Sequence, residues 1–264
     1  MEMIILGCAG SAGVPMLGGP DGAGDWGECD PDEPRNRRTR SSVIISDGPG
    51  RALLVDTGPD LRDQLLAQRV GVVDAVLYTH AHADHIAGLD ELRTINRIIG
   101  GPLPVYGTRQ VMDEISVRFD YAFRPWTPPH IFRPILDVHH VMLPSTVVMA
   151  GMAVRLFGQS HGRTETLGLR VGPMAYCTDV AEMDDVALDA LRGVDTWVVD
   201  CFQREDHPSH GWLAQVLQWR DIIQPRRTVL THMGPDMDWA WMQANLPEGV
   251  EAAYDGLRLY ADEQ

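Results

Sequence analysis

Short apolar runs closed by glycine, proline or charge alternate along the chain with stretches where apolar residues recur every three or four positions. Met3 to Leu6 predicts a first strand, and Val43 to Ile45 with Ala52 to Val55 predicts a pair of strands around the turn DGPG. Pro59 opens a helix with Leu61, Leu65 and Leu66 on one face. Val72 to Tyr78 reads as a buried strand, and Ile86, Leu89, Leu92, Ile95 and Ile98 then follow at helical spacing. Further strands are predicted at Val147–Met149, Val154–Phe157, Leu167–Val171, Met174–Cys177, Trp197–Val199 and Thr228–Thr231, with helices near 184–192, 211–223 and 236–245. No linker or low-complexity segment divides them, so residues 1–264 are expected to form a single α/β domain with two similar halves. Residues 120–140, FDYAFRPWTPPHIFRP and its flanks, read as an insertion or lid.

Charge narrows the function. Asp plus Glu is 37 against 22 for Lys plus Arg, a net charge of −15, which opposes binding of bulk nucleic acid but not of a small phosphorylated molecule in a locally basic pocket. The first residues lack a basic leader, and no stretch approaches the ~20 apolar residues that span a bilayer. Four cysteines lie far apart with no C-x-x-C pair, which suits a reducing cytoplasm and predicts neither a disulfide framework nor a cysteine zinc knuckle.

Candidate chemistry concentrates in HAHADH, where His80, His82, Asp84 and His85 occupy six positions directly after a predicted strand. The segment either holds metal or is a polar loop rich in histidine. Imidazole nitrogen and carboxylate oxygen suit zinc, manganese or iron, but six residues cannot fill two coordination shells. Further ligands are therefore expected at later strand ends, where His161, Asp179 and His232 stand. Cys177, two residues before Asp179, would point to the same side if the strand alternates.

This joint pattern resembles the metallo-β-lactamase fold superfamily over essentially the whole chain. The resemblance implies a four-layer αβ/βα sandwich with mixed sheets and two divalent ions, zinc or manganese with iron also open. His80, His82 and His161 would hold one ion, Asp84, His85 and His232 the other, and Asp179 would bridge them. Asp56, in LLVDTGPD, would orient these ligands, or is simply a turn carboxylate after a strand. The stretches GSAGVPMLGG, LVDTGPDLRDQLL with THAHADHIAGLDEL, VVDC followed by HPSHGWLAQVL, and THMGPDMDWAWMQANLPEGVEAAYDGL are most similar to the phosphoribosyl cyclic phosphate phosphodiesterases of the carbon–phosphorus lyase pathway. That likeness implies His210 as general acid, against the plainer reading of a histidine at a helix start beside a Ser209 cap. The family's founding members carry a structural zinc on cysteines after Gly-Val-Pro; here only Cys29 stands in that loop and Pro235 at the late position, so this zinc is not expected.

Arg35, Arg37, Arg38 and Arg40 crowd six residues. They read either as a clamp on a substrate phosphate or as a solvated loop. Ser160, with Arg163 and Thr164, is a further candidate for phosphate contact. Trp212, Trp219, Trp239 and Met242 recur at helical spacing and read as core or dimer-face residues, which leaves a homodimer open. The expected activity is hydrolysis of a small cyclic or nucleotide-like phosphodiester by a hydroxide held between two metals, with Asp179 and His210 central. The alternatives are a thioester or lactone hydrolase on the same fold and a non-catalytic metal-binding module.

Overall fold

The computed structural model describes residues 1–261 and contains two seven-stranded sheets. The first is built from β1 (Glu2–Gly7), β2 (Ser42–Ser46), β3 (Ala52–Val55), β4 (Ala75–Leu77), β5 (Leu103–Thr108) and β6 (Leu136–Val141). The second runs through β7 (Ser145–Met149), β8 (Met152–His161), β9 (Thr164–Val171), β10 (Met174–Cys177), β11 (Thr196–Asp200), β12 (Arg227–Thr231) and β13 (Val250–Ala252). The last strand, β14 (Arg258–Tyr260), returns to pair with β1 in the first sheet. Each half repeats one plan: antiparallel pairing from β1 to β3 and from β7 to β10, then parallel pairing from β3 to β6 and from β10 to β13.

Alternation along the strands explains the layering. Met3 and Ile5 face inward with Val43, Ile45 and Val55, and meet Val154, Leu156 and Leu169 of the second sheet in one core. Ile4, Leu6, Ile44, Leu54 and Val76 face outward and are covered by helices. These are α1 (Leu61–Gln68), α2 (Ala83–Ile86), α3 (Leu92–Ile99) and α4 (Arg109–Arg118). On the other side, α5 (Asp185–Leu191), α6 (Leu213–Ile223) and α7 (Trp239–Asn245) place Ala190, Leu191, Val216, Trp219 and Met242 against the second sheet. The result is a helix–sheet–sheet–helix sandwich. No helix among the described residues is long and apolar enough to cross a membrane.

Several expectations are corrected. Pro59 lies before α1, whose N-cap is Asp60, and Leu66 is exposed while Leu61 and Leu65 are buried. The strand expected from Val72 is only Ala75–Leu77. The helical repeat from Ile86 is broken into α2, a short 3₁₀ turn and α3, and Ile98 ends exposed. The 120–140 segment is anchored to α3 and β6: Asn96 bonds to the Ile135 carbonyl, Arg97 to the Ile131 carbonyl, and its last residues enter β6.

The long polar stretch before Arg40 is ordered around one side chain. Arg38 is 2% exposed; its Nε donates to the Arg35 carbonyl (3.1 Å), and its Nη2 to Asn36 Oδ1 (2.9 Å) and to the Met237 carbonyl (2.6 Å). Asn36 Nδ2 in turn donates to Asp238 Oδ1 at 2.7 Å, so the loop is locked to the start of α7. A planar fork makes these contacts, which an ammonium cannot reproduce. Arg38→Lys is expected to lower stability by about 2–3 kcal/mol, read as a fall in the urea midpoint at unchanged slope.

Asp255 ties the same stretch to β1. Its carboxylate accepts from Cys8 N (3.2 Å), Thr39 N (2.8 Å) and Thr39 Oγ1 (2.6 Å). Desolvation, only partly opposed by those bonds from Thr39 and Cys8, raises its pKa to about 6. The folded state then binds this proton more tightly than the unfolded state, so the group's contribution is fullest below about pH 4 and is lost as pH rises through about 6. The stability of wild type relative to Asp255→Asn is expected to fall by roughly 1–3 kcal/mol between those values and to stay flat above them. Urea unfolding of both proteins from pH 4 to 8 measures it.

Candidate metal centre

Strand ends build the site, as expected where parallel strands deliver their carboxyl ends to one edge. The HAHADH loop follows β4, Asp56 follows β3, Asp179 follows β10, Asp200 ends β11 and His232 follows β12. His161 ends β8. Asp56, Asp179 and His232 all have left-handed backbone, with φ of 63°, 51° and 55°. Such residues cost about 1 kcal/mol or more each and cluster where geometry must be imposed on a functional side chain. At Asp179 the reversal also breaks the alternation expected of β10. Cys177 therefore points into the core, where its Sγ accepts from Trp197 Nε1 at 3.4 Å, and stands apart from the histidines.

The structure brings together every predicted metal ligand. His80, His82, His161 and Asp179 form one group, and Asp84, His85, Asp179 and His232 another; within each group the donor atoms lie within 4.8 Å of one another. Asp179 belongs to both. Its Oδ2 faces His80 Nε2 (3.5 Å) and His161 Nε2 (3.8 Å), while its Oδ1 faces His85 Nε2 (3.2 Å) and His232 Nδ1 (3.2 Å). Burial alone would raise this carboxyl, yet His232, His85 and His80 around it hold it well below the usual carboxylate range.

A second ring of bonds aims these donors. Asp56 is fully buried and belongs to neither group. Its Oδ2 accepts from His85 Nδ1 (2.7 Å) and from Thr79 Oγ1 (2.8 Å), and that hydroxyl stands 3.0 Å from His80 Nδ1. Asp56 therefore touches His85 directly and reaches His80 through the Thr79 hydroxyl. The Ser209 carbonyl accepts from His161 Nδ1 at 2.5 Å. With Nδ1 occupied, the buried Nε2 atoms of His80 and His85 have no hydrogen-bond partner. Unpartnered buried nitrogens converging on a carboxylate are what a cation would satisfy, and fixing Nδ1 is how proteins orient metal-binding imidazoles. The donor set fits a divalent transition ion.

His210 stands against this cluster, its ring centroid 4.6 Å from that of His161 and 4.9 Å from that of His232. Its Nδ1 donates to Asp200 Oδ2 at 2.9 Å. Burial disfavours its charged form, but the Asp200 bond and charge, with Asp179 and Asp84 beyond, prevail and raise its pKa. Asp200 ends an apolar strand, a position that by itself does not mark it in the sequence. Phe202, also unassigned, stacks on His210 at 5.0 Å and leaves no room for a side chain at Gly10.

The arginine run does not act as one clamp. Arg38 is buried and engaged as described above, which removes it from the substrate-binding set. Arg35 lies over the Trp239 ring at 4.8 Å, Arg37 over Trp26 at 4.9 Å, and Arg40 pairs with Asp60 at 2.9 Å. Ser160 lines a cavity beside the cluster, not the cluster itself.

Fold and site together define a class: a sandwich that gathers imidazoles and carboxylates at one sheet edge, the arrangement of a metal-dependent hydrolase. Residues 51–233 match the family described as beta-lactamase superfamily domain, and the chain belongs to the metallo-β-lactamase-fold superfamily, on its PhnP-like side. The crystal structure of a new diphosphatase from the PhnP family superposes with a TM-score of 0.88 at 31% identity, covering 99% of this chain and 98% of that one. Zn(2+)-bound PqqB from Methylobacterium extorquens shares the fold, with a TM-score of 0.77 at 22% identity over 99% of this chain and 100% of that one. An octanoyltransferase of Porphyromonas gingivalis is 32% identical over 266 residues, which is 100% of this chain but 52% of that protein; the chain spans about half the length of this relative.

Proposed function

We propose that the chain is a dinuclear metal-dependent phosphodiesterase acting on a small cyclic or nucleotide-like phosphodiester. The observation that carries the reading is the Asp179 carboxylate, which turns one oxygen to each of two ligand groups. His80, His82 and His161 would hold one ion and Asp84, His85 and His232 the other, with zinc and manganese the best-suited metals. Bound there, two such ions supply a nucleophile at neutral pH and stabilise the charge that develops on phosphoryl oxygens.

The chain's own residues do the rest. Asp200 holds His210 by Nδ1, so the other ring nitrogen, Nε2, is the one that delivers a proton to the departing oxygen. Asp56 and the Ser209 carbonyl fix the rings of His85 and His161, so the cluster is organised before substrate arrives. The 31% identical diphosphatase supports phosphorus chemistry.

A second reading, hydrolysis of an acyl thioester, is favoured by the relative named octanoyltransferase. The two are separated by offering bis(p-nitrophenyl) phosphate and an octanoyl thioester to protein reconstituted with Mn²⁺ or Zn²⁺. Metal-dependent release of p-nitrophenolate with the thioester untouched supports the phosphodiesterase; thioester turnover alone moves the assignment to acyl chemistry.

A further inference from the structure

Phe202 is a large aromatic side chain placed outside the hydrophobic interior. Among the described residues it packs into neither of the two main apolar cores nor the small cluster at Ala9, Val14 and Cys29. It is half-buried, and its ring lies among imidazoles. The ring centroid is 5.0 Å from that of His210, with the two planes 26° apart, 5.0 Å from that of His207 and 6.4 Å from that of His232. Burial of apolar area accounts for a phenylalanine in a core, but not for one set against polar rings at the edge of a metal-binding cluster.

Backbone bonds and two glycines hold the ring there. Phe202 N donates to the Gly211 carbonyl at 2.8 Å, Gly234 N to the Phe202 carbonyl at 2.7 Å, and Gly10 N to the Met233 carbonyl at 3.1 Å. The segments that follow β1, β11 and β12 are thereby laced side by side. A Cβ at Gly10 would lie 2.7 Å from Phe202 Cε2, and one at Gly234 would lie 2.9 Å from the Phe202 carbonyl oxygen and 3.3 Å from Phe202 Cζ. Neither glycine has a left-handed φ, so the backbone does not demand glycine at either position; Phe202 does. His210 itself is tied by one bond, from Nδ1 to Asp200 Oδ2 at 2.9 Å. The second torsion of a histidine side chain is soft, so one bond leaves the imidazole free to pivot, and a flat ring stacked on its face removes that freedom.

We propose that Phe202 is a positioning residue for the proton donor: it fixes the plane of His210 so that Nε2 is aimed at the departing oxygen, and Gly10 and Gly234 lack side chains to leave it room. The inference rests on the reading of His210 as the group that protonates that oxygen. Leucine at 202 keeps apolar volume but loses the flat face, whereas tyrosine keeps the face. Alanine at Gly10 leaves Phe202 in place chemically but pushes its ring edge away. A displacement of about 1 Å in a reacting group can cost on the order of 10²-fold, so a partly freed His210 is expected to lose about tenfold.

The test uses Zn²⁺-loaded wild type, Phe202→Leu, Phe202→Tyr and Gly10→Ala, with two readouts. The first is the His210 ring cross-peak in a carbon–proton correlation spectrum, identified by its disappearance in His210→Ala. It is expected to move in Phe202→Leu and Gly10→Ala and to stay near its wild-type position in Phe202→Tyr. The second is kcat/KM for a 2′,3′-cyclic nucleotide and for bis(p-nitrophenyl) phosphate. Phe202→Leu and Gly10→Ala are expected to lose about tenfold on the cyclic nucleotide and clearly less on the nitrophenyl ester, with Phe202→Tyr close to wild type. Added to His210→Ala, Phe202→Leu is expected to cost nothing further, because its effect passes through that ring. A cross-peak unmoved in Phe202→Leu, equal losses on both esters, or a loss that persists without His210 overturns the proposal. Turnover that depends on His210 but not on Phe202 overturns it and leaves the phosphodiesterase reading standing. If wild type hydrolyses neither ester, that reading fails, and the cross-peak alone decides whether Phe202 holds His210.

Discussion

Asp179→Ala is expected to lose both metal ions' shared ligand at once and to lower kcat/KM for a phosphodiester by about a thousandfold or more, some 4 kcal/mol of transition-state stabilisation. No other residue sits in both ligand groups, so removing His82 or Asp84 weakens one group while Asp179 removal opens both. The variant also leaves His80, His85 and His232 without the carboxylate that faces them. Metal content by mass spectrometry of the desalted protein checks the first part, and steady-state kinetics checks the second. Asp179→Asn keeps the shape but not the charge and is expected to retain more fold stability than metal. If Asp179→Ala kept two tightly bound ions, the shared-ligand arrangement would be wrong.

His210→Ala is expected to produce the second largest effect, and its size should depend on the leaving group. A proton delivered to the departing oxygen matters little when that oxygen leaves readily as p-nitrophenolate and much when it leaves as an alkoxide. A loss of about 10²–10³ is expected for an alkyl ester or cyclic nucleotide, and a clearly smaller one for bis(p-nitrophenyl) phosphate. Asp200→Asn, which keeps a hydrogen-bonding group but not the charge facing His210 Nδ1, is expected to lose about 10–100-fold with the same leaving-group trend. Asp200 also accepts from Val180 N at 2.9 Å, so part of its loss is structural; only the trend with leaving group reports the proton. Equal losses for both ester types would make His210 a binding or packing residue.

Much of this centre is legible in the sequence because its ligands come directly after apolar runs. The run before His80 and those before Asp179 and His232 are buried strands, and a polar residue at their carboxyl ends stands out. Asp200 escapes notice since a single carboxylate after a strand carries no spacing signal, and its partner His210 lies ten residues on, across a loop. The four arginines from 35 to 40 look alike in the sequence. Their fates diverge through partners far along the chain, Met237 for Arg38, Trp239 for Arg35, and through neighbours such as Trp26 for Arg37. β5 carries Pro104 and Gly107, and α4 has only three buried apolar residues among ten, Val111, Met112 and Ile115, so neither shows a strong periodic signal. β13 and β14, three residues each, are too short to show a period at all.

The most direct test of the two-ion centre is to titrate metal-free protein with Mn²⁺ and, separately, Zn²⁺, following bound metal and turnover of bis(p-nitrophenyl) phosphate together. Two ions per chain are expected, with turnover rising to its plateau only as the second binds, and with Asp179→Ala inactive throughout. Full turnover at one ion per chain, or two ions bound with no diester hydrolysis, would contradict a dinuclear phosphodiesterase.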